Sequence, residues 1–317
     1  MKTNKTNFRI FVSAFIFSLS FILASCEKVV EFDIDETERA IVVNALPNTD
    51  SLLFVNITYS RFFLDNGPFE AVTNASVTVD VNGIPYTSTQ RDGANYLFSY
   101  RSTAGDTLTL HVNIPGHESI TGTTIIPPLP DMPTPVAEID TLQPIDSGDI
   151  LISLSDPSEM ENYYYIYLTE RDSGIQWNMF ERKWDTIDTV IHPYFNCLNH
   201  EITNADVNVS EGMMDYFNSL LFSDRQIDGQ TYEIKLSLMM LKDTAEHPLL
   251  KEYSLVVESL SPEAFRYIKE VNASQSMTQY FAEPTQIFSN LSSGIGIFAG
   301  IARREYPLTF TYKESTE

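Results

Sequence analysis

The chain has 317 residues, a formal charge of -23 and two cysteines. That length suits two domains of ordinary size, the acidity argues against a nucleic-acid partner, and two cysteines cannot build a disulfide scaffold. Sixteen tyrosines and twenty phenylalanines, set among valines and threonines, favour strands over helices, so the predicted class is mainly β.

Residues 1–25 read as an export leader. Lys2, Lys5 and Arg9 form a basic start, Ile10 to Leu23 an apolar run, and Leu23-Ala24-Ser25-Cys26 a lipobox. At about 1.5 Å per helical residue the run spans roughly 21 Å, short of a hydrocarbon core of about 30 Å, so a membrane-spanning helix is the weaker reading. The lipobox predicts cleavage before Cys26 and acylation of its thiol and new amine, with palmitate as a candidate chain. Each buried CH₂ then adds about 0.8 kcal/mol of membrane affinity. The alternative is an ordinary signal peptide with a chance cysteine. Losing the leader removes three cations and no acid, which takes the charge from -23 to -26; such acidity keeps an exported chain soluble. With Cys26 acylated, Cys197 has no intrachain partner.

Residues 26–39 are expected to form an acidic tether. Residues 40–126 then predict an immunoglobulin-like β-sandwich, with strands at Ala40 to Leu46, Leu52 to Tyr59, Ser76 to Val81, Ile84 to Gln90, Asn95 to Tyr100, Thr107 to Ile114 and Ser119 to Ile126. Asn82-Gly83 tolerates the positive φ angles of a two-residue hairpin. A longer connection carries Phe62, Phe63, Asp65, Asn66 and Phe69; aromatic residues among loop formers suggest a binding loop, the alternative being rings tucked under the sandwich edge.

Five prolines within residues 127–135 exclude helix and central strand there and predict a stiff linker between domains. Residues 136–317 read as a larger β-rich domain with one or two short helices. Strands are expected at Ile150 to Leu154, Tyr163 to Thr169, Gln176 to Trp184, Thr186 to His192, Tyr232 to Met239 and Tyr253 to Leu260, the last two as a pair. One helix is expected from Ser210 to Leu221. A second opens at Ser261-Pro262-Glu263, with a hydroxyl cap, proline in the first turn and an acid at the positive end of the dipole. Glycines then interleave with apolar residues from Gly294 to Gly300, where close backbone approach is expected.

Several of these segments together resemble one family: the lipobox with Cys26-Glu27-Lys28, the loop Leu64-Asp65-Asn66-Gly67-Pro68-Phe69 ahead of Ala75-Ser76-Val77, Asp156-Pro157 with Glu161-Asn162-Tyr163-Tyr164, and Ser289-Asn290 to Gly294-Ile295-Gly296-Ile297-Phe298. The chain is similar to the Bacteroidota lipoproteins of domain of unknown function 4249. The resemblance brings no catalytic residues. It implies a lipid-anchored protein of the outer membrane, exposed at the cell surface or, alternatively, on the periplasmic face, acting as a non-enzymatic accessory to a TonB-dependent receptor in nutrient uptake. Acids near Cys26 resemble the surface-export signal of that group.

His192, Cys197 and His200 offer zinc-ligand atoms, but their spacing matches no ligand motif, and a buried cysteine beside loop histidines is the simpler reading. No phosphate loop, serine elbow or paired-histidine zinc motif occurs, and no cofactor is predicted. Asp33-Ile34-Asp35-Glu36 and Asp146-Ser147-Gly148-Asp149 fall short of a calcium loop. A surface hydrolase acting on glycans or peptides with carboxylates of the larger domain is the alternative function, and it would need two carboxyl groups about 5 to 10 Å apart. Asp followed by Ser or Thr and an apolar residue resembles a Bacteroidota O-glycosylation consensus at Ser51, Thr107, Thr141, Thr186, Thr189 and Thr244.

Overall fold

The computed structural model describes residues 39–62, 65–140, 146–158, 160–199, 201–202, 216–240, 249–275 and 287–312. The expected leader, the lipobox, Cys26 and the acidic lead to Glu38 lie outside the described residues, as do Phe63, Thr141, His200, Thr244 and residues 210–215 of the first expected helix. The described chain is mainly β, as its composition predicts.

Eight strands come first: β1 (Ile41–Ala45), β2 (Leu52–Tyr59), β3 (Ser76–Val81), β4 (Ile84–Thr87), β5 (Gln90–Asp92), β6 (Asn95–Arg101), β7 (Thr107–Asn113) and β8 (Ile120–Ile125). The run expected from Ile84 to Gln90 is two strands, because β4 pairs with β3 in one sheet and β5 with β6 in the other. Asn82 and Gly83 have φ of 50° and 84°, the left-handed pair that a tight β3–β4 hairpin requires. Alternation does the rest. Leu108, Leu110 and Val112 of β7 lie beside Val81, Val79 and Val77 of β3 in one sheet and share a buried cluster with the inward residues of β1, β2 and β6 in the other.

The second half adds β9 (Val136–Asp140), β10 (Asp146–Ser155), β11 (Tyr163–Asn178), β12 (Lys183–Ile191), β13 (Phe195–Cys197), β14 (Tyr216–Phe217), β15 (Ser219–Ser223), β16 (Thr231–Met240) and β17 (Leu250–Leu260). Helix α1 (Pro262–Gln275), β18 (Ile295–Phe298), β19 (Ile301–Leu308) and β20 (Phe310–Tyr312) follow. Two sheets, β14-β13-β16-β10-β9-β20 and β12-β11-β17-β19, enclose a second core around Ile152, Tyr164, Ile166, Phe195 and Val257.

Three expectations change here. Tyr163 to Thr169 and the run from Gln176 are parts of one sixteen-residue strand, β11, which turns at 179–182 into β12. The end of the helix expected to reach Leu221 is strand instead: Ser219–Ser223 pairs with β11, and that ladder outweighs the local helix pattern. β16 and β17 are not partners. β16 pairs with β10 and β13, β17 with β11 and β19, so they lie in opposite sheets.

The second expected helix forms as read. The Ala264 amide donates to Ser261 Oγ at 3.3 Å, and Phe265, Tyr267 and Ile268 cover a small third cluster with Leu221, Leu260 and Ile297. The proline segment does not stand free as a spacer. Leu129 packs on the first core, Met132 is buried in the second, and Asp131 bridges to Ser155. Nor does the glycine strand stay in the second half: β18 lies parallel to β1, and Phe298 and Ala302 complete the first core.

Candidate functional site: an aromatic notch in the edge of β11

The two most distinctive sequence motifs turn out to build structure. A Cβ on Gly296 would stand 2.0 Å from the Val43 carbonyl oxygen, and one on Gly300 would stand 2.4 Å from that of Ile125. Only glycine lets β18 lie against β1 and pass under β8. Asn290 fastens the same strand, donating to the Phe298 carbonyl at 2.7 Å and accepting the Phe298 amide at 3.0 Å.

The Asp156-to-Tyr164 motif ties a corner of the second sandwich. Buried Tyr164 donates its hydroxyl to Asp156 Oδ1 at 2.5 Å, and the Gly229 amide donates to Asp156 Oδ2 at 3.0 Å. The Asn162 amide donates to Asp224 Oδ2 at 2.7 Å. Carboxylate oxygens of Asp156, Asp224 and Asp228 converge within 4.8 Å of one another, the one such group of metal-ligating types among the described residues. Burial, together with the charges of Asp156 and Asp228, holds the Asp224 carboxyl above its ordinary range, against the hydrogen bonds from Asn162.

The other predicted residues lie apart from these motifs. Cys197 is buried in the second core, and burial pushes its thiol up, whereas His192 is exposed; His200, the third candidate ligand, lies outside the described residues. In the candidate binding loop Phe69 is exposed with the Arg61 guanidinium 4.6 Å from its ring centroid, Asp65 and Asn66 are exposed, and Phe62 is half-buried. Ser51, Thr107, Thr186 and Thr189 are all exposed. The acid before each has a structural partner: Asp50 holds Arg303, Asp106 takes Asn82 and Tyr100, Asp185 takes Asn178 and Lys183, and Asp188 takes Arg171.

A site that no sequence motif announced comes from strand register. One edge of β11 pairs with two strands in succession: Tyr163–Tyr167 with β15, and Glu170–Asn178 with β12. Leu168 and Thr169 fall between them, so the ladder is broken there. His192, just past β12, fills the break, its Nδ1 3.2 Å from the Leu168 carbonyl oxygen. The notch is a cavity of about 260 Å³ lined by Tyr165, Tyr167, His192, Asn218 and Ser219.

Its walls are ordered. Tyr167 meets His192 edge-on, centroids 5.2 Å apart, and tilts against Tyr165 at 5.4 Å. Behind Tyr167 lies buried Glu258, whose Oε1 accepts the Tyr167 hydroxyl at 3.0 Å and stands 3.6 Å from Arg303 Nε. Arg303 also reaches Asp50 and Glu305, and its amide donates to Thr49 Oγ1 at 3.0 Å. Burial pushes the Tyr167 hydroxyl up to about 12 and lifts the Glu258 carboxyl, with Tyr167 and Arg303 opposing. The notch thus presents aromatic faces, an amide, a hydroxyl and an imidazole, while the Glu258 carboxylate behind it is committed to Tyr167 and Arg303. Such a set suits a ring-bearing, hydroxylated, uncharged ligand.

Compared with protein-family models, residues 27–306 match the family described as Domain of unknown function (DUF4249). No curated protein matches the chain. Among the described residues no helix is long and apolar enough to cross a membrane.

Proposed function

Because the chain belongs to the DUF4249 family, whose description assigns no activity, its role has to come from its own geometry, and we propose that it is a lipid-tethered, non-enzymatic binding module of the outer membrane. Cys26 supplies the tether, and the notch between β12 and β15 takes the ligand. The observation that carries the reading is the notch itself: tilted and edge-on rings and neutral hydrogen-bonding groups, with the adjacent Glu258 occupied by Tyr167 and Arg303. A sugar ring or a small aromatic solute fits that chemistry. The module serves as accessory to a TonB-dependent receptor, presenting captured nutrient to it.

Two experiments test this. Extraction in mild detergent should recover the protein with a receptor barrel; recovery alone under several growth conditions counts against the accessory role. A panel of neutral oligosaccharides should include one that the wild type binds and a Tyr165→Ala, Asn218→Ala variant does not.

A hydrolase remains the second reading, because Asp156 and Asp224 bring two carboxylates together and burial holds the Asp224 carboxyl above its ordinary range. Against it, both carboxylates are engaged by the corner they hold, through Tyr164, Gly229 and Asn162. Turnover of any glycan or peptide that Asp224→Asn abolishes would favour it.

A further inference from the structure

Beyond the notch, β11 and β12 leave the sandwich as a two-stranded hairpin whose far end is apolar. Phe180 is 98% exposed and Met179 77%. Directly behind them Trp177 and Trp184 are cross-strand partners, rings edge to face at 5.5 Å, and both are about half exposed. The tip is held outward. Asn178 Oδ1 accepts the amides of Phe180 and Glu181, both at 3.0 Å, and Asn178 Nδ2 donates to Asp185 at 2.8 Å. A soluble surface does not ordinarily hold its largest apolar side chains on a braced turn in water.

We propose that this hairpin inserts its tip into the surface of a phospholipid bilayer. The chemistry is layered as an interface is. Met179 and Phe180 lie about 7 Å beyond the indole pair at about 3.4 Å per residue, within the 5–10 Å that interfacial elements penetrate. The indoles take headgroup depth, where tryptophan is enriched. Arg182 and Lys183 have stems long enough to keep their charges among headgroups. Charge agrees: the segment from Asn178 to Asp185 holds two cations and two acids in a chain of net charge -23, so the tip is an end that an anionic membrane does not repel. The reading rests on the tether proposed above for the presence of a bilayer, since the twelve residues between Cys26 and Arg39 reach at most about 43 Å when fully extended.

Both tryptophans of the chain are in the hairpin, so all tryptophan emission reports from it. The acylated full-length protein is mixed with phosphatidylcholine–phosphatidylglycerol vesicles, plain or with acyl chains brominated close to the headgroup. Emission should shift to the blue and lose most of its intensity with brominated lipid. A Met179→Asp, Phe180→Asp variant should lose both effects yet still float with the vesicles, and its unchanged thermal melt would show an intact fold. Unchanged emission from wild type on brominated vesicles overturns the proposal, as does a blue shift that depends on protein concentration without lipid, which marks self-association. Failure to float, with emission still quenched by lipid, removes the Cys26 tether and leaves the hairpin standing.

Discussion

Tyr167 donates its hydroxyl to Glu258 across the face of the second sandwich at 3.0 Å, and that bond joins the notch to the contact between the two halves of the protein. Glu258 is buried and shared with Arg303, which in turn grips Asp50 and Thr49 beside the first sandwich. Removing the hydroxyl alone, Tyr167→Phe, keeps the ring that lines the notch but leaves the carboxylate one partner short. A loss of about 1–3 kcal/mol is expected in chemical denaturation at neutral pH. The folded-state value for Glu258 is already raised by burial, so ionisation is disfavoured in the native state. Its favourable contribution is full below the ordinary glutamate value of 4.5 and is lost as pH rises through the raised one. The gap between wild type and Tyr167→Phe should therefore narrow toward acid.

Gly296 is the second test. With φ at +123° and the Val43 carbonyl oxygen 2.0 Å from where a Cβ would stand, Gly296→Ala must push β18 off β1 and open the first core at Phe298. The expected cost is roughly 3 kcal/mol or more by thermal or denaturant unfolding. Gly67→Ala, where nothing lies within 4 Å of the added carbon, should be neutral and serves as the control.

What could be read in the sequence was what is local. Alternation in β3 and β7, the Asn82-Gly83 turn and the Ser261-Pro262 helix start each depend on a few consecutive residues, and each appears at its expected place. The return of β18 to β1 could not be read that way. It joins residues about 250 positions apart, and the glycines that permit it signal close approach without naming the partner. The notch was hidden for a similar reason. It exists because β15 and β12 share one edge of β11 and leave Leu168 and Thr169 between them, and no periodicity in β11 announces that its neighbour changes. His192 stands out in the sequence only as a metal-ligand type, and nothing local to it signals that its ring closes the break at Leu168.

Asp106 predicts acid sensitivity in the first sandwich. Burial pushes its carboxyl up, but hydrogen bonds from Tyr100, Thr103 and Asn82 outweigh burial and bring it below the ordinary 3.8. A depressed carboxyl contributes stability that is present above the unfolded value and is lost as pH falls through the folded one. Asp106→Ala should cost about 3 kcal/mol at neutral pH, since it strands the Asn82 and Thr103 donors. Below pH 3.8 the wild type should lose stability faster than the variant, read as converging denaturation midpoints.

Asp224 has the opposite sign. Burial and the neighbouring charges of Asp156 and Asp228 raise it above 3.8, so its contribution is full below that value and falls as pH rises through the raised one. Asn in its place can still accept the Asn162 amide, now held at 2.7 Å, while the crowding of three carboxylates is relieved. Asp224→Asn should accordingly be at least as stable as wild type at pH 7, with any advantage vanishing in acid. Millimolar calcium provides the contrast, because a cation among Asp156, Asp224 and Asp228 would reverse the order. It would raise the melting temperature of wild type and not of the variant. Melting curves of both proteins with calcium and with chelator therefore separate an acidic corner held by its own hydrogen bonds from one completed by a metal.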